Sequence, residues 1–188
     1  MREKEYTAEE ILLVFGINIK KARMSRKMTL VELSQVAHYD RMCLANIESG
    51  KQNVKLHTAI KLAHALDVPF VSLLSRNYMS LSIEQNSDGN YGYIEDDHLG
   101  IFIENFKRSL KEQRKNQLAV YTETLVSESV VSRIMTGKSK NPTLITLNSL
   151  AYITNKELAV LFARINWEEN YYDFYSISRW KWNYQNYT

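Results

Sequence analysis

One cysteine, Cys43, is all that the 188-residue sequence contains, which excludes an intramolecular disulfide and any cysteine-rich zinc site. That sparing use suits a reducing, cytoplasmic setting. Six glycines are present, and none builds a Gly-rich phosphate loop. No apolar run approaches the length of a membrane span, and the charged start from Met1 to Glu10 does not read as a signal peptide. His38, His57 and His64 show no metal-ligand spacing with carboxylates, and Asp96-Asp97-His98 has no second cluster to complete a site, so it reads as acidic linker. Cys43 has no matching His and Asp pair to make it a nucleophile. The expectation is a protein without catalytic site, metal or cofactor, and without membrane contact.

What is present is a composition of 45% hydrophobic and 24% charged residues, ordinary for a soluble globular chain. The net charge of +3 becomes informative only when divided. Residues 11–74 carry nine Lys or Arg against four Asp or Glu, and residues 101–162 carry nine against five. Between them, residues 75–100 hold one Arg against five acids. Two basic blocks flank an acidic segment, which suggests two sites for a polyanion.

The basic blocks also repeat. Ile47-Glu48-Ser49-Gly50-Lys51 is echoed 87 residues later by Ile134-Met135-Thr136-Gly137-Lys138. At that offset Phe15 meets Phe102, Ile19 meets Phe106, Leu33 meets Val120 and Leu44 meets Val131. One inserted residue after Lys138 moves the offset to 88, and Asn53 then meets Asn141, Leu56 meets Leu144 and Leu73 meets Leu161. A match of apolar classes over about sixty residues exceeds a shared helix period.

The spacing within each repeat is helical, and neither shows a β-alternation. Phe15, Ile19 and Ala22 fall on one stripe, with Lys20, Lys21 and Arg23 off it. Thr29 with Glu32 forms a capping box for a second helix that buries Leu30, Leu33 and Val36 or Ala37. Asp40 caps a third helix that buries Leu44 and Ile47 and stops at Gly50. Leu56 to Leu66 form a fourth, and Pro69 falls in the first turn of a fifth. The expected fold is all-α: two tandem five-helix domains joined by an acidic linker, with an aromatic C-terminal tail. The boundaries are 1–75, 76–100 for the linker, 101–165, and 166–188 for the tail, which places nine aromatics between Trp167 and Tyr187.

The run Thr29-Leu30-Val31-Glu32-Leu33-Ser34, the cap Asp40, and Leu44-Ala45-Asn46-Ile47-Glu48-Ser49-Gly50-Lys51 followed by Asn53 resemble the helix-turn-helix of the Xre/Cro/CI repressor family. The resemblance covers residues 14–74 and, more weakly, 101–162, and implies a lambda-repressor-like fold that binds double-stranded DNA. In such a unit the third helix enters the major groove, so residues after its cap and one turn on face base edges. Here those are Arg41, Met42, Ala45 and Asn46. Arg41 suits a guanine edge, Asn46 an adenine edge, and Met42 or Ala45 a thymine methyl. Thr29 at the second helix's start, with Lys51 and Asn53 after the third, are placed for phosphates. The resemblance further implies that Glu48 braces the helix internally.

The second repeat keeps this frame with departures. Its DNA candidates are Gln117 at the second helix, Glu128, Ser129, Ser132 and Arg133 after a Ser127 cap, then Lys138, Lys140 and Asn141. Leu125 replaces the family's turn glycine, where a positive φ costs a branched residue about 1 kcal/mol or more, whereas the first repeat has His38. Tyr121 stands where the first repeat has Ser34, and Met135 replaces the glutamate. A flexible linker over residues 76–100, 25 residues long, has an r.m.s. span of about 28 Å, near the roughly 34 Å between successive major grooves on one face of DNA.

The function this supports is a cytoplasmic, sequence-specific transcriptional regulator, a repressor by family resemblance. The competing reading is a protein-interaction module, such as an antitoxin or an inhibitor, using the same helices against a protein partner. The aromatic tail has two outlets, packing on its own domains or a homodimer interface, where Tyr and Trp are favoured.

Overall fold

The computed structural model describes residues 9–76, 97–124 and 126–163, which hold ten helices and no strand. They are α1 (Glu10–Ser25), α2 (Leu30–Val36), α3 (Arg41–Glu48), α4 (Leu56–Ala65), α5 (Phe70–Leu74), α6 (His98–Glu112), α7 (Gln117–Glu123), α8 (Glu128–Met135), α9 (Leu144–Tyr152) and α10 (Leu158–Phe162). The acidic segment up to Asp96 and the aromatic tail, with the dimer role expected of it, lie outside the described residues, as does Leu125.

Local chemistry accounts for the helix starts. Thr29 and Glu32 form the capping box, with the Glu32 amide donating to Thr29 Oγ1 at 3.2 Å and the Thr29 amide donating to Glu32 Oε2 at 2.6 Å. Asp40 Oδ1 accepts from the Cys43 amide at 2.8 Å and caps α3. Asn116 caps α7 through the Ala119 amide. Pro69 stands just outside α5, as its cap residue. Helix α6 opens at His98, inside the segment expected as linker, because Asp97 accepts from the Gly100 amide at 2.9 Å and Leu99 is buried. The acidic pair thus contains a helix cap, which its composition alone concealed.

Helices α6–α10 follow α1–α5 in order and closely in length, and the apolar pairs matched by sequence are buried on both sides. Phe15 and Phe102, Leu44 and Val131, Leu56 and Leu144, and Leu73 and Leu161 all lie in the core. Left-handed backbone recurs at the same places: Lys27 with Arg114, Gly50 with Gly137, and Asp67 with Asn155. A buried polar latch recurs as well. Asn18 Nδ2 donates to the carbonyls of Leu73 and Ser75, and Asn105 Nδ2 to those of Leu161 and Ala163, all within 3.1 Å. Each latch ties a long first helix to the short fifth one and satisfies carbonyls at that helix's end. In α2 the buried residues are Leu33 and, just after the helix, Ala37, while Val36 points to solvent.

The two sets of helices touch directly. The Leu56 amide donates to the Pro142 carbonyl at 2.9 Å, and the Leu144 amide to the Val54 carbonyl at 2.8 Å, across an antiparallel bridge between Lys55 and Thr143. The His57 amide donates to Asn141 Oδ1 at 2.9 Å, and the Ile145 amide to Asn53 Oδ1 at 3.5 Å. The sets also meet through aromatic rings: Phe70 meets Phe162 edge-on at 5.1 Å between ring centres, and Phe162 meets Phe102 at 5.3 Å. A tether alone does not set the spacing of the two sets.

The sets differ in how tightly the third helix is held. A Cβ at Gly16 would collide with the carbonyls of Ile47 and Glu48, so glycine lets α1 lie directly on α3. The matching residue in α6 is Ile103, and α8 sits less closely against α6 than α3 does against α1. Gly137 accordingly has open space where Gly50 abuts Leu13. Replacing Gly16 with Val should therefore cost about 1–3 kcal/mol in urea unfolding, the usual range for overpacking. Unchanged stability would show that α1 and α3 can separate without loss.

Candidate nucleic-acid interface

Helix α3 has one face in the core and one in solvent. Leu44 and Ile47 are buried, anchoring it against α1 and α2. Arg41, Met42 and Asn46 are exposed, Met42 with 61% of its surface accessible, and Ala45 is half-buried beside them. An apolar side chain left that open on a short, well-anchored helix is available to a partner surface. The hydrogen bond from the Cys43 amide, and after it that from the Cys43 thiol, hold the Asp40 carboxyl below its ordinary value. Burial pushes the Cys43 thiol up, and Asp40 adds to that, which favours the protonated thiol.

The turn before α3 is made by His38, whose φ of 45° lies in the left-handed region. After α3, Gly50 turns the chain at φ 70°, and the Lys51 amide returns to the Asn46 carbonyl at 2.9 Å. This places Lys51, exposed, just beyond the helix end. Thr29 is exposed, and its hydroxyl is engaged within the capping box, where it also donates to Glu32 Oε2 at 2.8 Å. Asn53 is exposed, with its carboxamide oxygen on the Ile145 amide and its nitrogen the group able to donate to an anion.

Glu48 braces α3 from within. Arg23 of α1 donates through Nε to Glu48 Oε1 at 2.6 Å and through Nη2 to Oε2 at 2.8 Å, with its Nη1 on the Met28 carbonyl at 2.7 Å. The two side chains keep only 12% and 7% of their surface exposed. The hydrogen bond that Arg23 donates to Glu48 raises the Arg23 pKa still further. Sequence spacing gave no sign of Arg23 as the partner, since 25 residues separate the pair. The matching positions in the second set are Leu110, buried, and Met135, packed on the core.

On α8 the corresponding residues Glu128, Ser129, Ser132 and Arg133 are all exposed, as are Lys138, Lys140 and Asn141 after it. Gln117 opens α7, with its side chain outside the description. Ser127 precedes α8 without the expected side-chain cap; its hydroxyl faces that of Ser129 at 3.3 Å instead. Thr124 at the end of α7 is extended, whereas Ala37 at the matching place is helical, so the two turns differ in shape. The inserted residue is absorbed after α8, where the Ser139 amide, rather than that of Lys138, closes back on Arg133. Tyr121 fills space against the core where Ser34 bonds back to Val31.

Residues 19–73 match the helix-turn-helix family model, of the Xre and lambda CI type. Over these residues the first set of helices is similar to that helix-turn-helix family. That match points to DNA binding and transcription regulation. No curated protein and no solved structure gives a match. No described helix is long and apolar enough to cross a membrane.

Two outcomes follow for this helix-turn-helix. Glu48→Met alone strands the largely buried Arg23 guanidinium without its partner and should cost about 3 kcal/mol in denaturant unfolding. Adding Arg23→Leu, which recreates the Leu110 and Met135 pair, should recover most of that loss; an additive further loss would mean the ion pair is not the brace. Because the Asp40 carboxyl is lowered in the native state, its contribution is complete above the ordinary carboxylate pKa and disappears as pH falls through the native value. Asp40→Ala should thus lower the thermal midpoint by a few degrees at neutral pH, and the gap from wild type should close on acidification. A gap independent of pH would assign the loss to something other than the charged cap.

Proposed function

We propose that the protein is a sequence-specific duplex DNA-binding regulator, a repressor, in which α3 reads base edges in the major groove. The observation that carries this reading is the solvent face of a capped, internally braced α3 inside the matched helix-turn-helix segment. Arg41 and Asn46 supply the hydrogen-bonding groups, with Met42 and Ala45 as apolar contacts. Lys51, the Asn53 carboxamide nitrogen and the start of α2 at Thr29 position the domain on phosphates. Helices α6–α10 are, in this reading, a divergent second copy of the same domain, supported by the recurring core pairs, left-handed residues and asparagine latches.

Arg41→Ala should weaken binding to the preferred duplex by about 1–3 kcal/mol and relax preference at one base position. Equal weakening on preferred and random duplex would remove its base-reading role. Lys51→Ala should weaken all sequences alike and flatten the salt dependence by about one unit of slope. Failure of any duplex to outcompete another would favour the protein-partner reading instead.

A further inference from the structure

The hydrogen bonds of the seam between the two sets of helices are reciprocal. Shifting residue numbers by 88 converts the Leu56 to Pro142 hydrogen bond into the Leu144 to Val54 bond, and the His57 to Asn141 bond into the Ile145 to Asn53 bond. Residue i of one set meets residue j of the other while the mate of j meets the mate of i, the signature of a twofold, isologous contact. Two copies of a subunit ordinarily make such a contact; here both sides belong to one chain.

We infer that a single chain binds duplex DNA as a built-in pseudodimer, with α3 on one half-site and α8 on an unlike second half-site. This rests on the reading of α3 given above. A twofold between the sets relates α3 to α8, as the twofold of a dimer relates its recognition helices, and so presents both to one duplex. The half-sites differ because the groove-facing residues differ. Arg41, Met42, Ala45 and Asn46 of α3 correspond to Glu128, Ser129, Ser132 and Arg133 of α8, all four exposed. Arg133 suits a guanine edge, Glu128 accepts from a cytosine amino group, and the serines serve either base class. Exposed Lys138 and Lys140 follow α8 as Lys51 follows α3, and bring positive charge to the phosphates of the second half-site. The Asn53 and Asn141 seam is sealed within the chain, so no second copy is required to form it.

Selection of the full chain on a pool of randomised duplexes, followed by mass measurement of the complex, tests this. The expected motif has two unlike half-sites with centres about 34 Å, or a multiple, apart, and holds one chain. Arg133→Ala, a surface change that spares the core, should lower affinity about 5- to 150-fold for that motif and relax preference in one half-site only, while Arg41→Ala acts on the other. A single half-site indifferent to Arg133→Ala, or a palindrome holding two chains, would overturn the inference and leave base reading by α3 intact. No enrichment at all would overturn both.

Discussion

Every helix begins with N–H groups that its own turns cannot satisfy, and the fold rests on how α4 and α9 meet that need. Lys55 gives α4 no side-chain cap. The first two amides of α4, from Leu56 and His57, are taken by Pro142 and Asn141, and those of α9, from Leu144 and Ile145, by Val54 and Asn53. Each set thus completes a helix start of the other. Parting the seam would expose Val54 and Pro142, both buried, and leave four donors to water. The aromatic contact of Phe70 with Phe162 adds apolar area to the junction. With the seam closed, the two sets are joined by hydrogen bonds and apolar contact as well as by the chain between them.

The two sets solve the same packing problem with different chemistry. In the first, Gly16 brings α1 against α3, and the Arg23 and Glu48 pair locks the two. In the second, Ile103 and Met135 stand in for Gly16 and Glu48, and α8 lies further from α6. An ion pair with few exposed atoms fixes direction as well as distance, whereas apolar contacts tolerate rotation. The first set holds its third helix the more firmly, and the family match lies within that set. The extended Thr124 and the missing Ser127 cap are further differences between the two sets.

Much of this was legible in the sequence wherever the rule is local. The capping box at Thr29, the Asp40 cap, the Gly50 stop and the positive φ at His38 each depend on a few adjacent residues, and each stands where the residue types put it. The core pairs were legible because burial follows period, and two copies of a pattern reinforce one another. What escaped depends on distant partners. Arg23 looked like a solvated charge off the apolar stripe, because nothing near it in sequence announces Glu48. Asn53 and Asn141 matched as repeat mates and were read toward phosphate, yet their oxygens close the seam between sets. Asp97 was obscured by its acidic neighbours, since a cap and a linker share the same residue types. Base-facing residues on α3 and α8 rest on exposure and register, which place them without naming their partners.

Amide hydrogen exchange at Leu56, His57 and Leu144 in the full chain tests the central claim most directly. These amides sit in first helical turns, where exchange is ordinarily fast. If the seam organises the molecule, they exchange as slowly as the interior of α4 and α9, and all three slow together. Exchange at the rate of exposed loop, with the helix interiors still protected, would mean that the two sets are independent and that α3 and α8 share no fixed surface.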